Sequence, residues 1–317
     1  MDLKRLRYFI CVSELGSFTL AARHLGVAQP ALSRHIRQLE AECGSALLRR
    51  NGRGAELTEV GRTMLEHGRS LLEQVGRLEA GLKAAKGAPA GAVNLGMPPS
   101  VCAILVAPLF HRLRRDFPAI RLHISEGFSG DVREWLVGGR LDIGVLYNPG
   151  RAANLIGQFL LVEDMFLCSA PSAAGGARKQ ATLSEAVRLP LILPGRPHGL
   201  RILVDSLCAE NSLEPDVVLE LDSMSAIKTL VCEGRAATIL PFCGVHREAA
   251  AGAIAARRIV SPSLTRTLVV GETVRRPKTP ATSAVVQCLR EEVQRLVAAG
   301  LWSGSDTNEN GIADRPI

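Results

Sequence analysis

The chain carries FTLAARHLGVAQPALSRHIRQLE at residues 18–40, and this stretch combines two short helical patterns with a tight turn at Gly26. A glycine suits such a turn because it adopts the left-handed backbone conformation without steric cost. After the turn, Leu32, Ile36 and Leu39 recur at the spacing that places them on one side of a helix. The stretch therefore predicts a helix-turn-helix whose second helix buries these three residues.

The other side of that second helix is polar and basic. Pro30 suits the first helical turn, where its missing N–H would be unpaired anyway, and Ser33, Arg34 and Arg37 share its side of the helix. Gln29 lies at the N-terminal end. Because hydroxyl, amide and guanidinium groups suit base edges and phosphates in a major groove, we expect these five residues to contact double-stranded DNA. An ordinary surface helix with basic residues is the alternative.

A basic hairpin follows the helical patterns. Residues 49–54 read RRNGRG, and Asn-Gly is typical of a tight turn between two strands. We interpret this hairpin as a wing, with Arg49, Arg50 and Arg53 placed against the phosphate backbone or in the minor groove. Residues 1–58 are therefore expected to form a winged helix-turn-helix DNA-binding domain.

The charge of the chain is uneven. Of a formal net charge of +7, residues 1–86 carry +5, which favours a local anion-binding module over a generally basic protein. Nucleic acid is the first candidate partner for such a module. Ribosomes, anionic membranes and acidic metabolites fit the same balance, so the charge supports the DNA interpretation only together with the helix-turn-helix.

One long helical pattern follows the hairpin. Thr58 can cap a helix that begins at Glu59, and we expect residues 59–91 to form a dimerisation helix and a hinge. Apolar or small residues recur there in steps of three and four, as in a coiled coil: Met64, Gly68, Leu71, Val75, Leu78, Leu82 and Ala85. A dimer would present two recognition helices to two half-sites. The alternative is that this seam packs on the chain's own core.

These N-terminal residues also match a known family. The resemblance lies in Phe18 to Ala22, Gln29 to Ser33, Leu39-Glu40, Leu47 to Arg50 and Leu57-Thr58, and through them roughly the first 65 residues resemble the LysR-type transcriptional regulators. The resemblance implies a sequence-specific DNA-binding transcription regulator with a winged helix-turn-helix, a linker helix and a two-lobed effector domain. It also implies a homodimer or a dimer of dimers (a homotetramer), with RNA polymerase as a further candidate partner.

Beyond the linker, short apolar strands alternate with amphipathic helices, which predicts an α/β fold. This half resembles the LysR-type effector domain, whose two lobes resemble periplasmic solute-binding proteins. We expect residues 92–302 to form this domain, with residues 92–163 and 266–302 in lobe I and residues 164–265 in lobe II. The polar residues 303–317 are expected to form a disordered tail.

Candidate ligand contacts follow from the position of the strand ends. Ligands of open α/β sheets bind beyond the carboxyl ends of the strands, often at helix N-termini. This rule selects, as effector-binding residues, Ser100, Val101, Phe128, Ser129, Tyr147, Asn148, His198 and Arg201. His198 and Arg201 could pair with a carboxylate, so a small anionic effector bound between the lobes is among the candidates.

Three of these positions have a structural alternative. Ser100 could simply cap a helix, and Arg201 could pair with Asp205 one helical turn further on. His198 could be an ordinary loop residue. The sequence alone leaves these alternatives open.

Three segments of the second half resemble one subgroup of the family. They are Gly96 to Val101, Glu126 to Gly130 and Leu146 to Pro149, and they resemble the subgroup that includes the nitrogen assimilation control regulator. This resemblance does not identify the effector, because sensing domains diverge within a subgroup.

Other functional classes lack their motifs. The sequence has no Gly-x-Ser-x-Gly elbow, no Walker-type phosphate loop and no His-Glu-x-x-His helix, so we do not expect an enzyme. The eight cysteines form no Cys-x-x-Cys pair, which predicts neither a metal site nor a cofactor. A redox sensor that uses Cys208 is a further alternative.

The N-terminal sequence argues against export. Lys4, Arg5 and Arg7 interrupt the first apolar residues, which disfavours a secreted solute-binding protein. Since no apolar run approaches the length of a membrane span, we expect a cytoplasmic protein without a membrane partner.

Overall fold

The structure is a computed structural model that describes residues 2–51, 54–84, 89–148, 155–171, 178–273, 278–305 and 315–316. It divides into two compact units, residues 1–85 and residues 86–317, which we call the N-terminal unit and the C-terminal unit. The first is mainly helical, and the second alternates strands and helices.

Three helices form the N-terminal unit's core: α1 (Leu3–Leu15), α2 (Phe18–Leu25) and α3 (Gln29–Cys43). The Ser17 hydroxyl caps α2 by accepting a hydrogen bond from the Leu20 N–H, and Gly26 ends α2 in the left-handed conformation at φ 65°. Leu32, Ile36 and Leu39 are all buried against α1 and α2. The predicted helix-turn-helix is therefore confirmed.

The predicted hairpin is also present, as β1 (Leu48–Asn51) paired antiparallel with β2 (Gly54–Leu57). The Glu40 carboxylate of α3 accepts hydrogen bonds from the Leu47 and Leu48 N–H groups at 2.9 and 3.1 Å, which fixes the start of the hairpin against α3.

The long helix α4 (Glu59–Ala84) begins where expected, because the Thr58 hydroxyl accepts a hydrogen bond from the Gly61 N–H at 2.9 Å. The first half of its predicted seam also makes contacts within the chain. Met64 and Leu71 pack against the N-terminal unit's own core, and a Cβ added at Gly68 would lie 2.8 Å from Leu6 Cδ1. Packing on the chain's own core, the alternative interpretation, describes these contacts, and pairing with a second chain stays a prediction. Ala85 lies outside the described residues.

The C-terminal unit starts with parallel strands separated by helices. The chain runs through β3 (Gly91–Met97), α5 (Pro99–Asp116), β4 (Ile120–Glu126), α6 (Ser129–Val137) and β5 (Ile143–Tyr147). Strand β3 lies between β4 and β5 and pairs parallel with both. Since the carboxyl ends of parallel strands share one edge of the sheet, the N-termini of α5 and α6 lie at that edge.

A long strand, β6 (Leu155–Ser169), passes through both halves of this unit. The first part of β6 pairs antiparallel with β12 (Thr265–Thr273), and β12 also pairs antiparallel with β5. The last part of β6 pairs antiparallel with β10 (Thr238–Pro241) and β11 (Ala255–Ser261).

The remaining elements complete the second half of the unit and cover the first. They are β7 (Gln180–Thr182), α7 (Leu183–Val187), β8 (Leu191–Leu193), α8 (Gly199–Glu210), β9 (Val217–Glu220), α9 (Met224–Cys232), α10 (Phe242–Ala250) and α11 (Pro280–Ala298). The buried residues of the C-terminal unit form two large cores and one small cluster. One core combines residues 93–161 with Cys243 and residues 268–302, and the other lies within residues 165–264. The small cluster packs Val132 and Leu136 of α6 against Val269.

The C-terminal end differs from the expected disordered tail. Trp302 is buried, the Ser303 hydroxyl donates a hydrogen bond to Asp164, and β13 (Gly304–Ser305) pairs with β6. Residues 315–316 form a further short strand, β14 (Arg315–Pro316), on β6, while residues 306–314 lie outside the described residues. In the described parts of the chain, every helix is too short or too polar to span a lipid bilayer.

Candidate nucleic-acid interface and ligand cavity

The outward side of α3 exposes part of the predicted DNA-contacting set. Pro30, Arg34 and Arg37 are exposed, and Gln29 is half-buried at the first helical position. A helix whose N-terminal residues are exposed and basic can enter a major groove and donate hydrogen bonds to base edges.

Ser33 does not share that exposed side. It is 5% exposed, and its hydroxyl accepts a hydrogen bond from the Gln29 side-chain amide at 3.0 Å. The prediction that Ser33 lies beside Arg34 on the outward side is therefore corrected. A position three residues after Pro30 is rotated toward Ile36 and the core, and the short serine side chain does not reach past its neighbours.

The wing residues are only partly described. Arg49 is exposed on β1, Arg50 is described only as part of that strand, and Arg53 lies outside the described residues. A cavity of about 450 Å³ lies between α3 and the start of the hairpin, with Gln29, Ser33 and Leu48 in its lining.

The C-terminal unit contains a cavity of about 560 Å³ at the sheet edge predicted to bind a ligand. This volume falls within the range of small-molecule sites, about 300–1,000 Å³. Six of the eight predicted effector residues line it: Ser100, Phe128, Ser129, Tyr147, Asn148 and His198. The strand-end rule therefore located the cavity correctly.

A buried polar network forms one wall of the cavity. The Arg266 guanidinium donates to Ser100 Oγ at 3.2 Å, lies 3.3 Å above the centre of the Tyr147 ring, and donates to the Glu163 carboxylate at 2.7 Å. Burial raises the pKa of the Tyr147 hydroxyl well above its usual value, so this hydroxyl stays protonated. Burial by itself would lower the pKa of Arg266, but the charge of the neighbouring Glu163 carboxylate and its hydrogen bond raise that pKa, so the guanidinium stays charged.

Ser129 and Asn148 hold the strand ends together beside this network. Ser129 Oγ accepts a hydrogen bond from the Tyr147 N–H at 3.0 Å, and Asn148 Oδ1 accepts one from the Thr267 N–H at 2.7 Å. Asn148 adopts a left-handed conformation at φ 41°, which asparagine tolerates better than most residues. Ser100 does not cap α5, because Pro98 occupies the N-cap position.

His198 and Phe128 meet across the cavity. Their ring centroids are 4.4 Å apart in an edge-to-face arrangement, and His198 Nδ1 accepts a hydrogen bond from the Leu200 N–H at 3.0 Å. Burial lowers the pKa of His198, and the charge of Arg266 lowers it further. The neutral ring that results carries its proton on Nε2, which makes it a hydrogen-bond donor beside the cavity.

Two predicted effector residues lie elsewhere. Val101 is fully buried in the hydrophobic core, because it follows Ser100 by one position and a helix turns each successive residue by about 100°. Arg201 bonds Asp205 at 2.9 Å and Glu220 at 2.6 Å and does not line the cavity, so the ion-pair alternative is correct.

Arg266 and Glu163 were missed by the sequence analysis. The strand-end rule selects only residues that follow strands, whereas these two lie inside apolar strands, in Thr265–Thr273 and Leu155–Ser169. A charged residue within an apolar strand is itself a signal, because burying a charge is costly unless the charge is paired.

Comparisons with known proteins identify the family of both units. The model of the LysR substrate binding domain matches residues 86–294, and the model of the bacterial regulatory helix-turn-helix protein, lysR family, matches residues 3–62. The chain belongs to the LysR family. It is a LysR-type DNA-binding transcriptional regulator with a two-lobed, effector-binding substrate domain.

Several members of the family are similar over most of their length. The nitrogen assimilation regulatory protein nac of Klebsiella aerogenes is 29% identical over 296 residues, which cover 93% of this chain and 96% of that protein. The regulator AlsR of Bacillus subtilis is 30% identical over 244 residues, or 76% of this chain and 80% of AlsR. The resemblance to the nitrogen assimilation control subgroup is therefore confirmed.

Solved structures of LysR-family members share the fold. Full-length CbnR complexed with its target DNA has a TM-score of 0.72 and 26% identity, and the match covers 93% of this chain and 99% of CbnR. Full-length OxyR from Pseudomonas aeruginosa has a TM-score of 0.69 at 23% identity, with 97% of this chain and 99% of OxyR covered.

Proposed function

We propose that α3 reads operator DNA through its exposed side, with Gln29, Pro30, Arg34 and Arg37 in the major groove. The observation that carries this proposal is the exposure of Arg34 and Arg37 on the same side of the helix as Pro30. Guanidinium groups there can donate paired hydrogen bonds to guanine. Ser33 supports this surface indirectly, because its hydroxyl holds the Gln29 side chain.

The wing contributes phosphate contacts in this proposal. Arg49, Arg50 and Arg53 would lie on the DNA backbone or enter the minor groove, which adds affinity that falls as salt rises. Such contacts orient the domain on the duplex but carry little sequence information.

Selection of genomic fragments tests the DNA-binding assignment. The purified chain is mixed with sheared genomic DNA, and the retained fragments are sequenced. We expect a small set that shares two similar half-sites, because a LysR-type regulator that acts as a dimer reads two. Retention of fragments without a common sequence would contradict the proposal.

The oligomer proposed for this chain is a homodimer or a dimer of dimers. The first half of α4 is occupied by the N-terminal unit's own core, so we assign pairing to the second half, where the sequence continues with Val75, Leu78 and Leu82. Leu78→Asp together with Leu82→Asp should reduce the sedimentation coefficient to that of a monomer. The CbnR complex supports DNA binding by a full-length relative with the same fold.

The cavity of the C-terminal unit is proposed to bind the small-molecule effector. A ligand that prefers one arrangement of the two lobes would shift the population toward that arrangement and so change DNA binding. The relatives of this chain are transcriptional regulators rather than enzymes, and we propose that this chain is likewise no enzyme. We also propose that it acts in the cytoplasm. RNA polymerase is proposed as its partner at the promoter.

A further inference from the structure

Five helices of the C-terminal unit begin at the ligand cavity. The cavity lining contains the first residues of α5, α6, α8 and α9, which are Pro99, Ser129, Gly199 and Met224, and the N-cap residue of α10, Pro241. Each helix N-terminus carries a partial positive charge from its unpaired N–H groups. The backbone therefore favours a negative charge in this cavity.

Arg266 adds a full positive charge to the same wall. Its side chain is 7% exposed and lines the cavity. The bonds to Glu163 and Ser100 use Nε and Nη2, and a guanidinium has five N–H donors. Donors therefore remain that a ligand in the cavity can engage.

The carboxylates of the lining do not oppose this charge strongly. Asp131 and Asp222 are both exposed. Asp131 already accepts a hydrogen bond from the Phe128 N–H, and Asp222 accepts one from the Gly195 N–H. Water screens such exposed groups far more than it screens buried Arg266.

Another part of the cavity wall is apolar. It includes six side chains from α8, α9, β10 and the loop after β9: Leu200, Leu203, Leu221, Met224, Ile227 and Leu240. A ligand that fills the cavity must therefore present a charged or polar end to Arg266 and an apolar body to this wall.

We propose that the effector is a small organic carboxylate with an apolar body, and that its carboxylate binds Arg266, which Glu163 holds in position. The buried Arg266 guanidinium beside two hydroxyl groups, Ser100 and Tyr147, suits one carboxylate. This inference rests on the proposed role of the cavity as the effector site, and it adds the chemical class of the ligand and the residue that anchors it.

Glu163 is the positioning residue in this arrangement. It is fully buried, and besides Arg266 it accepts hydrogen bonds from Trp302 Nε1 at 2.5 Å and Cys243 Sγ at 3.0 Å. These contacts fix the carboxylate, and the carboxylate fixes the guanidinium. A ligand on Arg266 is therefore only two contacts away from the Trp302 indole.

Binding of model compounds tests the ligand class. Benzoate is titrated into the full chain by calorimetry, with three compounds as controls. Benzyl alcohol lacks the negative charge, benzylamine carries a positive charge instead, and acetate keeps the negative charge but lacks the apolar body. We expect benzoate to bind about tenfold or more tightly than each control, the gain typical of a charge-assisted hydrogen bond. Equal binding of benzyl alcohol, or no binding of benzoate, would overturn the proposal.

Trp302 reports the position of the ligand. The chain has two tryptophans, so Trp135→Phe leaves Trp302 as the only one. Saturation with benzoate should change its emission, whereas an unchanged spectrum with bound benzoate would place the carboxylate away from Arg266 and overturn the assignment.

Variants separate charge recognition from folding. The double variant Glu163→Gln with Arg266→Met removes both buried charges and should bind benzoate no better than benzyl alcohol. Arg196→Met, at an exposed arginine that also lines the cavity, should keep the preference. A double variant that keeps it would overturn the proposal, and the wild-type comparison remains decisive if the double variant does not fold. Operator binding is measured separately, so loss of the ligand inference leaves the DNA-binding function testable.

Discussion

Trp302 donates a hydrogen bond from Nε1 to Glu163 Oε1 at 2.5 Å, although the two residues lie 139 positions apart in the chain. The same carboxylate holds Arg266 in the wall of the ligand cavity. The segment that follows α11 is thereby connected to the cavity through one buried carboxylate.

Removal of one partner of this buried ion pair should be costly. Glu163→Gln leaves the Arg266 charge buried without its counterion, and we expect the free energy of unfolding to fall by about 3–5 kcal/mol. Urea unfolding followed by tryptophan emission measures the change. The double variant Glu163→Gln with Arg266→Met should recover part of the loss, because no unpaired charge remains. A single variant as stable as the wild type would contradict a paired, buried Glu163.

Two glycines of α4 should respond in opposite ways to alanine. A Cβ at Gly68 would lie 2.8 Å from Leu6 Cδ1, whereas a Cβ at Gly76 would meet no atom within 4 Å. Gly68→Ala should lower the midpoint of thermal unfolding, because overpacking a core costs about 1–3 kcal/mol. Gly76→Ala should raise it, because alanine favours a helix by up to about 1 kcal/mol. Equal shifts in both variants would argue against close packing of α4 on α1.

Stability should depend on pH through His198. Its pKa is lowered in the folded chain by burial, so below the unfolded-state pKa, about 6.5, the unfolded chain binds more protons. The stabilisation from the neutral His198 ring is therefore complete above the unfolded-state pKa and is lost as pH falls through the folded-state pKa. His198→Gln should reduce the drop in urea midpoint between pH 7 and pH 5. An unchanged pH profile would show that His198 does not titrate in this way.

The cysteines should resist mild peroxide in the folded protein. Burial raises the pKa of the Cys208 thiol and raises those of Cys102 and Cys168 to about 12, so little reactive thiolate forms. Mass spectrometry after brief peroxide treatment should find Cys208 reduced, with exposed Cys232 as the internal comparison. Oxidation of Cys208 at the lowest effective dose would favour the redox-sensor alternative.

Local patterns sufficed to predict the N-terminal unit. The turn at Gly26, the cap at Thr58 and the helical spacing of Leu32, Ile36 and Leu39 each act over a few residues, and the structure contains them as expected. Ser33 was misplaced because helical spacing alone does not say how far neighbouring side chains cover a residue at the edge of a face.

Long-range pairing limited the prediction of the C-terminal unit. The strand-end rule found the cavity, but Glu163 and Arg266 are 103 positions apart and meet only because β6 and β12 pair. Likewise, the first three seam positions of α4 pack on the N-terminal unit's own core, which a heptad-like pattern does not distinguish from pairing with a second chain. Both cases depend on which elements become neighbours in the fold.

The affinity of recognition-helix variants for a retained genomic fragment tests the central claim most directly. Arg34→Ala should weaken binding by about 1–3 kcal/mol and relax the preference at one base pair of each half-site. Arg133→Ala, at an exposed arginine of the C-terminal unit, should bind as the wild type does. If Arg34→Ala keeps both the affinity and the base preference of the wild type, α3 is not the element that reads DNA.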